Sequence, residues 1–383
     1  VQPFAYTQTS LRDAPRITLS RNFTQEGERK TAMNSAVRSI CQMLLLVGLA
    51  PWGTPALAQE GSVQRGKRVQ LSPAAPPVAQ ARLEKAIERL RTLEAARETA
   101  EQRALIEKQL RAALNLPSDA PIGTAERAQV KALSFSKPKL TDVGAAILAD
   151  PATGLKSLTT LDLPKSSVTD AGVAALAAKG TGLAALTTLN LSGTNVTDTG
   201  AAALAANETG LNALTKLNLF GTLVTNAGAA ALAAPDTGLK ALTSLDLSRT
   251  AVTDAGVVAL AAPDTGLKAL TTLHLSATQV TDAGVAALAA KDTGLTALTT
   301  LNLKFTQVTD AGVAALAAKD TGLTALTTLN LEFTQVTDAG GAALAAKDTG
   351  LTALTTLNLK NTEVTDAGIA AIKQRFPGIK IAR

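Results

Sequence analysis

The strongest constraint on this chain is that most of it repeats itself every 28 residues. Rows begin at Val130, Leu158, Leu186, Leu214, Leu242, Leu270, Leu298, Leu326 and Leu354, nine units in unbroken register. The row from Leu298, LTTLNLKFTQVTDAGVAALAAKDTGLTA, is almost identical to its successor. A period of this length means one small supersecondary unit used over and over. No single unit can bury its own leucines, so neighbours must stack on one another.

The pattern inside a row says how each unit folds. In LxxLxL the period is two, so Leu301 and Leu303 face one way and Thr300, Asn302 and Lys304 the other, as in a short strand with one buried face. The TDAG that follows opens a helix, with Asp310 placed as its cap, and Val313 and Leu316 sit three apart on one helical face. Gly322 and its equivalents supply the turn back toward Leu323. Each row therefore reads strand, loop, helix, loop.

The pattern LxxLxLxx(T)xVTDAGxxALA resembles the leucine-rich repeats. It is most similar to the subclass in which a cysteine precedes the helix start. Here that slot holds Ser166, Thr194, Thr222, Thr250, Thr278, Thr306, Thr334 and Thr362. A hydroxyl can do the same local work, bonding backbone groups as the chain leaves the strand. The GAAALA at Gly200 and Gly228 also resembles bacterial effectors called GALA proteins, which carry an F-box ahead of their repeats; no F-box-like segment is recognisable here. The resemblance implies an α/β solenoid, a curved parallel sheet with helices outside it. It also implies a non-enzymatic scaffold that binds a protein or peptide on the concave strand face. The GALA likeness implies, as an alternative, a host-directed effector or a substrate adaptor of an SCF-type ubiquitin ligase.

The repeat domain is expected over residues 130–383 and a helical cap over 81–129. In the cap Leu83, Ile87, Leu90 and Leu93 recur at helical spacing, and the pairs Glu88 with Arg91 and Glu107 with Arg111 suit an exposed face. The stripe is alanine-rich and keeps no strict heptad, which favours helices covering the end of the repeat array over a coiled-coil arm. A monomer is therefore expected, with this neck the seat of any dimer. Residues 59–80 are polar, basic and proline-containing, a tether. Residues 33–58 carry Arg38, an apolar run from Ile40 to Ala50 and Ala56-Leu57-Ala58. This resembles a Sec signal peptide cleaved after Ala58, giving a periplasmic or extracellular protein without a stable membrane anchor. Residues 1–32 then read as an over-extended start or a leader.

Composition removes several function classes. Trp52, Tyr6, Cys41, Met33 and Met43, the only residues of their types, all precede residue 59. The mature chain thus has no cysteine nucleophile, thiolate site or disulfide, and the single His274 excludes a multi-histidine zinc centre; no cofactor is expected. The net charge of +6 lies ahead of the repeats, because residues 130–383 hold 19 Lys/Arg against 19 Asp/Glu. A neutral body without Trp or Tyr offers nucleic acid neither a basic surface nor stacking platforms.

Two catalytic look-alikes occur. Asp-Thr-Gly recurs at Asp236, Asp264, Asp292, Asp320 and Asp348, but aspartic protease chemistry needs two carboxylates converging on one proton, and these fall in the same loop of successive rows. Asp246 and His274 occupy equivalent strand positions in neighbouring rows, with Ser248 and Ser276 close by. A hydrolase triad is the weaker alternative reading and a cross-strand Asp–His hydrogen bond the simpler one, since the sheet ladder leaves no oxyanion hole.

Binding residues are sought where rows depart from the repeat: Phe220, Asp246, Arg249, His274, Lys304, Phe305, Glu332, Phe333 and Lys360. Phe305 and Phe333 share a position in adjacent rows, about 5 Å apart, and are expected to be partly exposed and stacked. Lys304, Glu332 and Lys360 form an alternating-charge row beside them. Eight steps of about 4.8 Å and five exposed residues at about 3.3 Å give the strand face near 650 Å². That approaches the about 800 Å² per partner of standard complexes.

Overall fold

The computed structural model describes residues 77–136 and 139–383. The leader, the signal peptide and most of the tether lie outside the described residues. The chain divides into two compact units, 1–97 and 98–383. Described residues of the first unit, 77–97, are helical and form the start of α1 (Pro77–Ala113). Within the second unit the same helix buries Leu105, Ile106 and Leu110. The expected pairs are present, Glu88 with Arg91 at 3.6 Å and Glu107 with Arg111 at 3.8 Å, and Glu107 is also paired with Arg127 of α2 (Thr124–Arg127).

The second unit contains one parallel sheet whose ten strands follow chain order. The strands are Ala132–Ser134 (β1), Thr160–Asp162 (β2), Thr188–Asn190 (β3), Lys216–Asn218 (β4), Ser244–Asp246 (β5), Thr272–His274 (β6), Thr300–Asn302 (β7), Thr328–Asn330 (β8), Thr356–Asn358 (β9) and Lys380–Ala382 (β10). Register advances by one row at each step, so Leu301 stands opposite Leu329. Eight helices separate β1 from β9: Asp142–Ala149 (α3), Asp170–Ala177 (α4), Asp198–Ala205 (α5), Asn226–Ala233 (α6), Asp254–Ala261 (α7), Asp282–Ala289 (α8), Asp310–Ala317 (α9) and Asp338–Leu344 (α10). A last helix, Asp366–Arg375 (α11), precedes β10.

These elements are short, and that explains why the array must be cooperative. A helix of two turns is unstable alone in water. Each one survives because a single face, Gly312, Val313, Leu316 and Ala317 in α9, is buried against the strand leucines and neighbouring helices. Each row from that of Leu158 to that of Leu326 buries five leucines, such as Leu298, Leu301, Leu303, Leu316 and Leu323. Leucine, valine and alanine side chains thus form a continuous core, with no aromatic ring among them between Phe135 and Phe376.

The sheet has one strand more than the nine rows announce. The basic stretch after Ile372 buries Phe376 and Ile379 and then adds β10 alongside β9. It closes the core with residues that share nothing with the leucine pattern.

Candidate functional site

Of the columns of side chains that run the length of the array, three show most clearly how it is held together. In the first, each ladder aspartate bonds forward into the next row. Asp310 Oδ1 accepts from the backbone N–H of Thr337 at 2.7 Å and of Gly340 at 2.8 Å, and Oδ2 accepts from the Thr337 hydroxyl at 2.7 Å. This corrects the expectation that Asp310 caps its own helix. The cap of α9 is Thr309, whose Oγ1 accepts from Ala311 N–H at 3.3 Å, while Asp310 caps α10 from the row before. Gly340 is required here, since a Cβ on it would come within 2.6 Å of Asp310 Oδ1.

Both ends of this column are adapted. Ahead of the first repeat there is no aspartate, and Gln102 of α1 places its Oε1 on Thr141 N–H at 3.2 Å instead. At the other end Asp366 is bonded by Arg383. In the middle Asn226 replaces aspartate; its Oδ1 still accepts from Thr253 and Gly256, but its Nδ2 donates to the Thr253 hydroxyl at 2.9 Å. That hydroxyl then makes no cap bond to α7.

Electrostatics follow from these bonds. Burial pushes the Asp310 carboxyl upward, but the bonds from Thr337 and Gly340 outweigh it and hold the group below its ordinary 3.8. Asp338 is held low first by the Thr365 hydroxyl and then by Thr365 N–H.

The second column is the hydroxyl slot. Thr306 Oγ1 donates to Leu303 C=O at 2.6 Å, and the other threonines of the slot repeat this bond; Ser166 Oγ has no partner. The third is the Asp-Thr-Gly loop, where buried Thr321 accepts from Leu323 N–H at 3.3 Å. Gly322 there lies so close to the preceding row that a Cβ would meet Ala290 C=O at 2.4 Å. The triplet is turn and packing chemistry.

Between strand and hydroxyl slot lies a column that the array does not consume. Its backbone is left-handed in row after row, with positive φ at Lys165, Gly193, Gly221, Arg249, Ala277, Phe305, Phe333 and Asn361. This bend lets the corner N–H reach the next row's carbonyl, as Phe305 does to Glu332 C=O at 2.9 Å. Glycine suits it; a bulky residue there is strained by about 1–3 kcal/mol. Two consecutive rows nevertheless carry phenylalanine, at φ 57° and 56°. The rings stack at 4.3 Å between centroids and remain 48% and 44% exposed.

Charged neighbours complete the corner. Lys304 Nζ lies 5.0 Å and 5.7 Å from the two ring centroids and 2.9 Å from Glu332. Its hydrogen bond holds the Glu332 carboxyl below the ordinary 4.5 against partial burial, helped by Asn358. Lys360 is exposed one row on. Three rows earlier Phe220, 37% exposed, lies under the Arg249 guanidinium at 5.6 Å. The sequence pointed to these residues; it missed the left-handed corner, although Gly193 and Gly221 stand in the same column.

Asp246 and His274 do stand opposite each other in β5 and β6, but the expected Asp–His bond is not formed. Asp246 Oδ1 turns along its own chain to accept from Ser248 N–H at 2.8 Å, the local turn that Asn and Asp favour after a strand. His274 Nδ1 faces Asn302 Nδ2 at 3.4 Å. Ser248 Oγ accepts from Ser276 N–H and Ser276 Oγ bonds Asn302, so neither hydroxyl is joined to the imidazole. Among the described residues no group of three or more His, Cys, Asp or Glu is placed to hold a metal ion. No described helix is long and apolar enough to cross a membrane.

No curated protein matches the chain. Among solved structures, internalin C2 of Listeria monocytogenes is similar at 22% identity and a TM-score of 0.37, over 70% of this chain and 88% of that one. An internalin of the same organism, InlF, is similar at 18% identity and 0.33, over 72% and 94%. The family model described as Leucine Rich repeat matches seven times, at 154–177, 184–205, 238–261, 266–289, 294–317, 322–345 and 350–373. It passes over the row that carries Phe220 and Asn226. With one parallel strand and one helix per 28-residue row, the described array is a leucine-rich-repeat solenoid.

Proposed function

We propose that the protein is an exported, non-enzymatic scaffold that recognises a protein or peptide through the helix-free face of its sheet and the adjoining corner column. The observation that carries this reading is the contrast between columns. Ladder aspartates, slot hydroxyls and loop threonines are bonded into the array, whereas the column two residues past each strand and the corner column differ from row to row and expose Phe220, Phe305 and Phe333. Exposed aromatics with charge around them are what an interface centre needs. The face offers no enclosed, water-free site and no assembled triad, which favours binding over turnover.

The test uses the full-length chain to select binders from a random dodecapeptide display library. Binding should be lost in a Thr300→Arg, Thr328→Arg double variant, which crowds the strand face, and kept in Ala314→Arg on the outer surface of α9. Binders that ignore the first change and lose to the second would overturn the reading.

A further inference from the structure

Two successive rows in the middle of the sheet, those of Ser248 and Ser276, leave a gap along its edge. In the column two residues past each strand, Phe220 and Lys304 are separated only by Ser248 and Ser276, a span of three rungs or about 14 Å. The long side chains on either side lie away from the gap. Arg249 is drawn back over Phe220, at 5.6 Å, and Lys304 forward onto Glu332, at 2.9 Å. The corner residue of the second serine row is Ala277, so small side chains floor the gap and aromatic rings wall both ends.

Two side chains at this saddle, Arg249 and His274, can donate to a ligand. Asn302 Oδ1 accepts from Lys304 N–H at 3.1 Å and from Ser276 Oγ at 3.2 Å, which fixes its amide and turns Nδ2 to His274. An amide NH₂ can only donate, so His274 Nδ1 accepts and the ring proton is on Nε2. Arg249 has five N–H donors, and among the described residues no carboxylate is paired with it. Over the strands and the three residues that follow them in these two rows the one acid is Asp246, whose Oδ1 is committed to Ser248 N–H. Recognition here must use side chains, since the strands already spend their backbone groups on one another and cannot take an added strand.

We infer that this saddle seats an acidic, apolar-anchored peptide segment of a protein partner. A partner carboxylate is taken by Arg249 and His274 Nε2–H, and an apolar side chain packs on the Phe305–Phe333 stack. The two subsites are two rungs, about 10 Å, apart, which an extended peptide spans in two to four residues. The inference rests on the reading of the helix-free face as the binding surface.

The experiment sequences the dodecapeptide pool enriched by the full-length chain. Enriched peptides should carry Asp or Glu within four residues of Phe, Trp, Leu or Met. A synthetic peptide from the pool should bind at least threefold more weakly to Arg249→Asn and to Phe305→Gly, Phe333→Gly. These substitutions introduce residues that the same column already accommodates at Asn361, Gly193 and Gly221, so the fold is kept. Affinity should also fall with added salt, because a guanidinium–carboxylate contact at a surface is screened. A pool without acidic bias, or changes under threefold in both variants, overturns the seat. Peptides that lose to the Thr300→Arg, Thr328→Arg pair alone sink the seat and leave the binding face standing; peptides indifferent to both sets sink both.

Discussion

Phe305 and Asp310 lie five residues apart on the same connection between strand and helix, yet their columns obey opposite rules. The aspartate column is one residue type from Asp142 to Asp366 with a single exception, Asn226. The corner column holds lysine, glycine, arginine, alanine, phenylalanine and asparagine on one unchanging backbone shape. The difference lies in what the neighbouring row demands. A carboxylate that must satisfy two N–H groups and a hydroxyl of the next row has no freedom, whereas a corner that uses only its own N–H leaves its side chain unassigned. Inside one chain, sameness marks bonds that every row must make, and variety marks surface released for something else.

The sharpest way to break this contrast is Asp310→Ala. It strands the N–H groups of Thr337 and Gly340 together with the Thr337 hydroxyl, and should cost about 2–3 kcal/mol in urea denaturation. Asp310→Asn keeps both backbone bonds, as Asn226 does, and should cost only about 1 kcal/mol. Equal losses would show that charge and not bond count governs the column.

Acid should expose the same column. Asp310 and Asp338 have folded-state pKa values below their ordinary 3.8. Their contribution is therefore complete above about pH 4 and is lost as pH falls through the lower folded values. Stability measured from pH 5 downward should decline, and decline less steeply in Asp310→Asn. Gln102→Ala removes only the first rung. It should cost about 1 kcal/mol, felt as faster amide exchange at 141–149 with later rows unchanged.

The smallest effect is expected at the corner. Phe305→Gly with Phe333→Gly loses a ring stack worth about 0.5–1.5 kcal/mol but relieves two left-handed residues at about 1 kcal/mol each. Net stability should change by no more than about 1 kcal/mol. A large loss would make the rings structural, contrary to the comparison drawn above.

The period, the strand leucines and the helix face were all legible, because apolar spacing reports directly on burial. What a periodic sequence hides is which copy of a partner is used. Asp310 stands two residues from Gly312 and thirty from Gly340, and the letters around both glycines are the same, so spacing alone assigned it to its own helix. Gln102 escaped notice because it belongs to no row, and β10 because Ile381 and Phe376 replace leucines. The Asp246–His274 bond was expected from register alone, but a side-chain-to-backbone turn inside β5's own row forms more readily than a reach across strands.

From Asp142 to Asp338 every ladder aspartate reaches forward into the next row and none reaches back. In this column a row therefore needs its predecessor to be in place, while its own carboxylate waits for its successor. As the chain is made from the N-terminus, Gln102 already stands ready when Thr141 emerges, and each completed helix offers a waiting acceptor to the row that follows. Synthesis order and bonding order coincide, so the array can grow as a templated edge that is never more than one row short of closure.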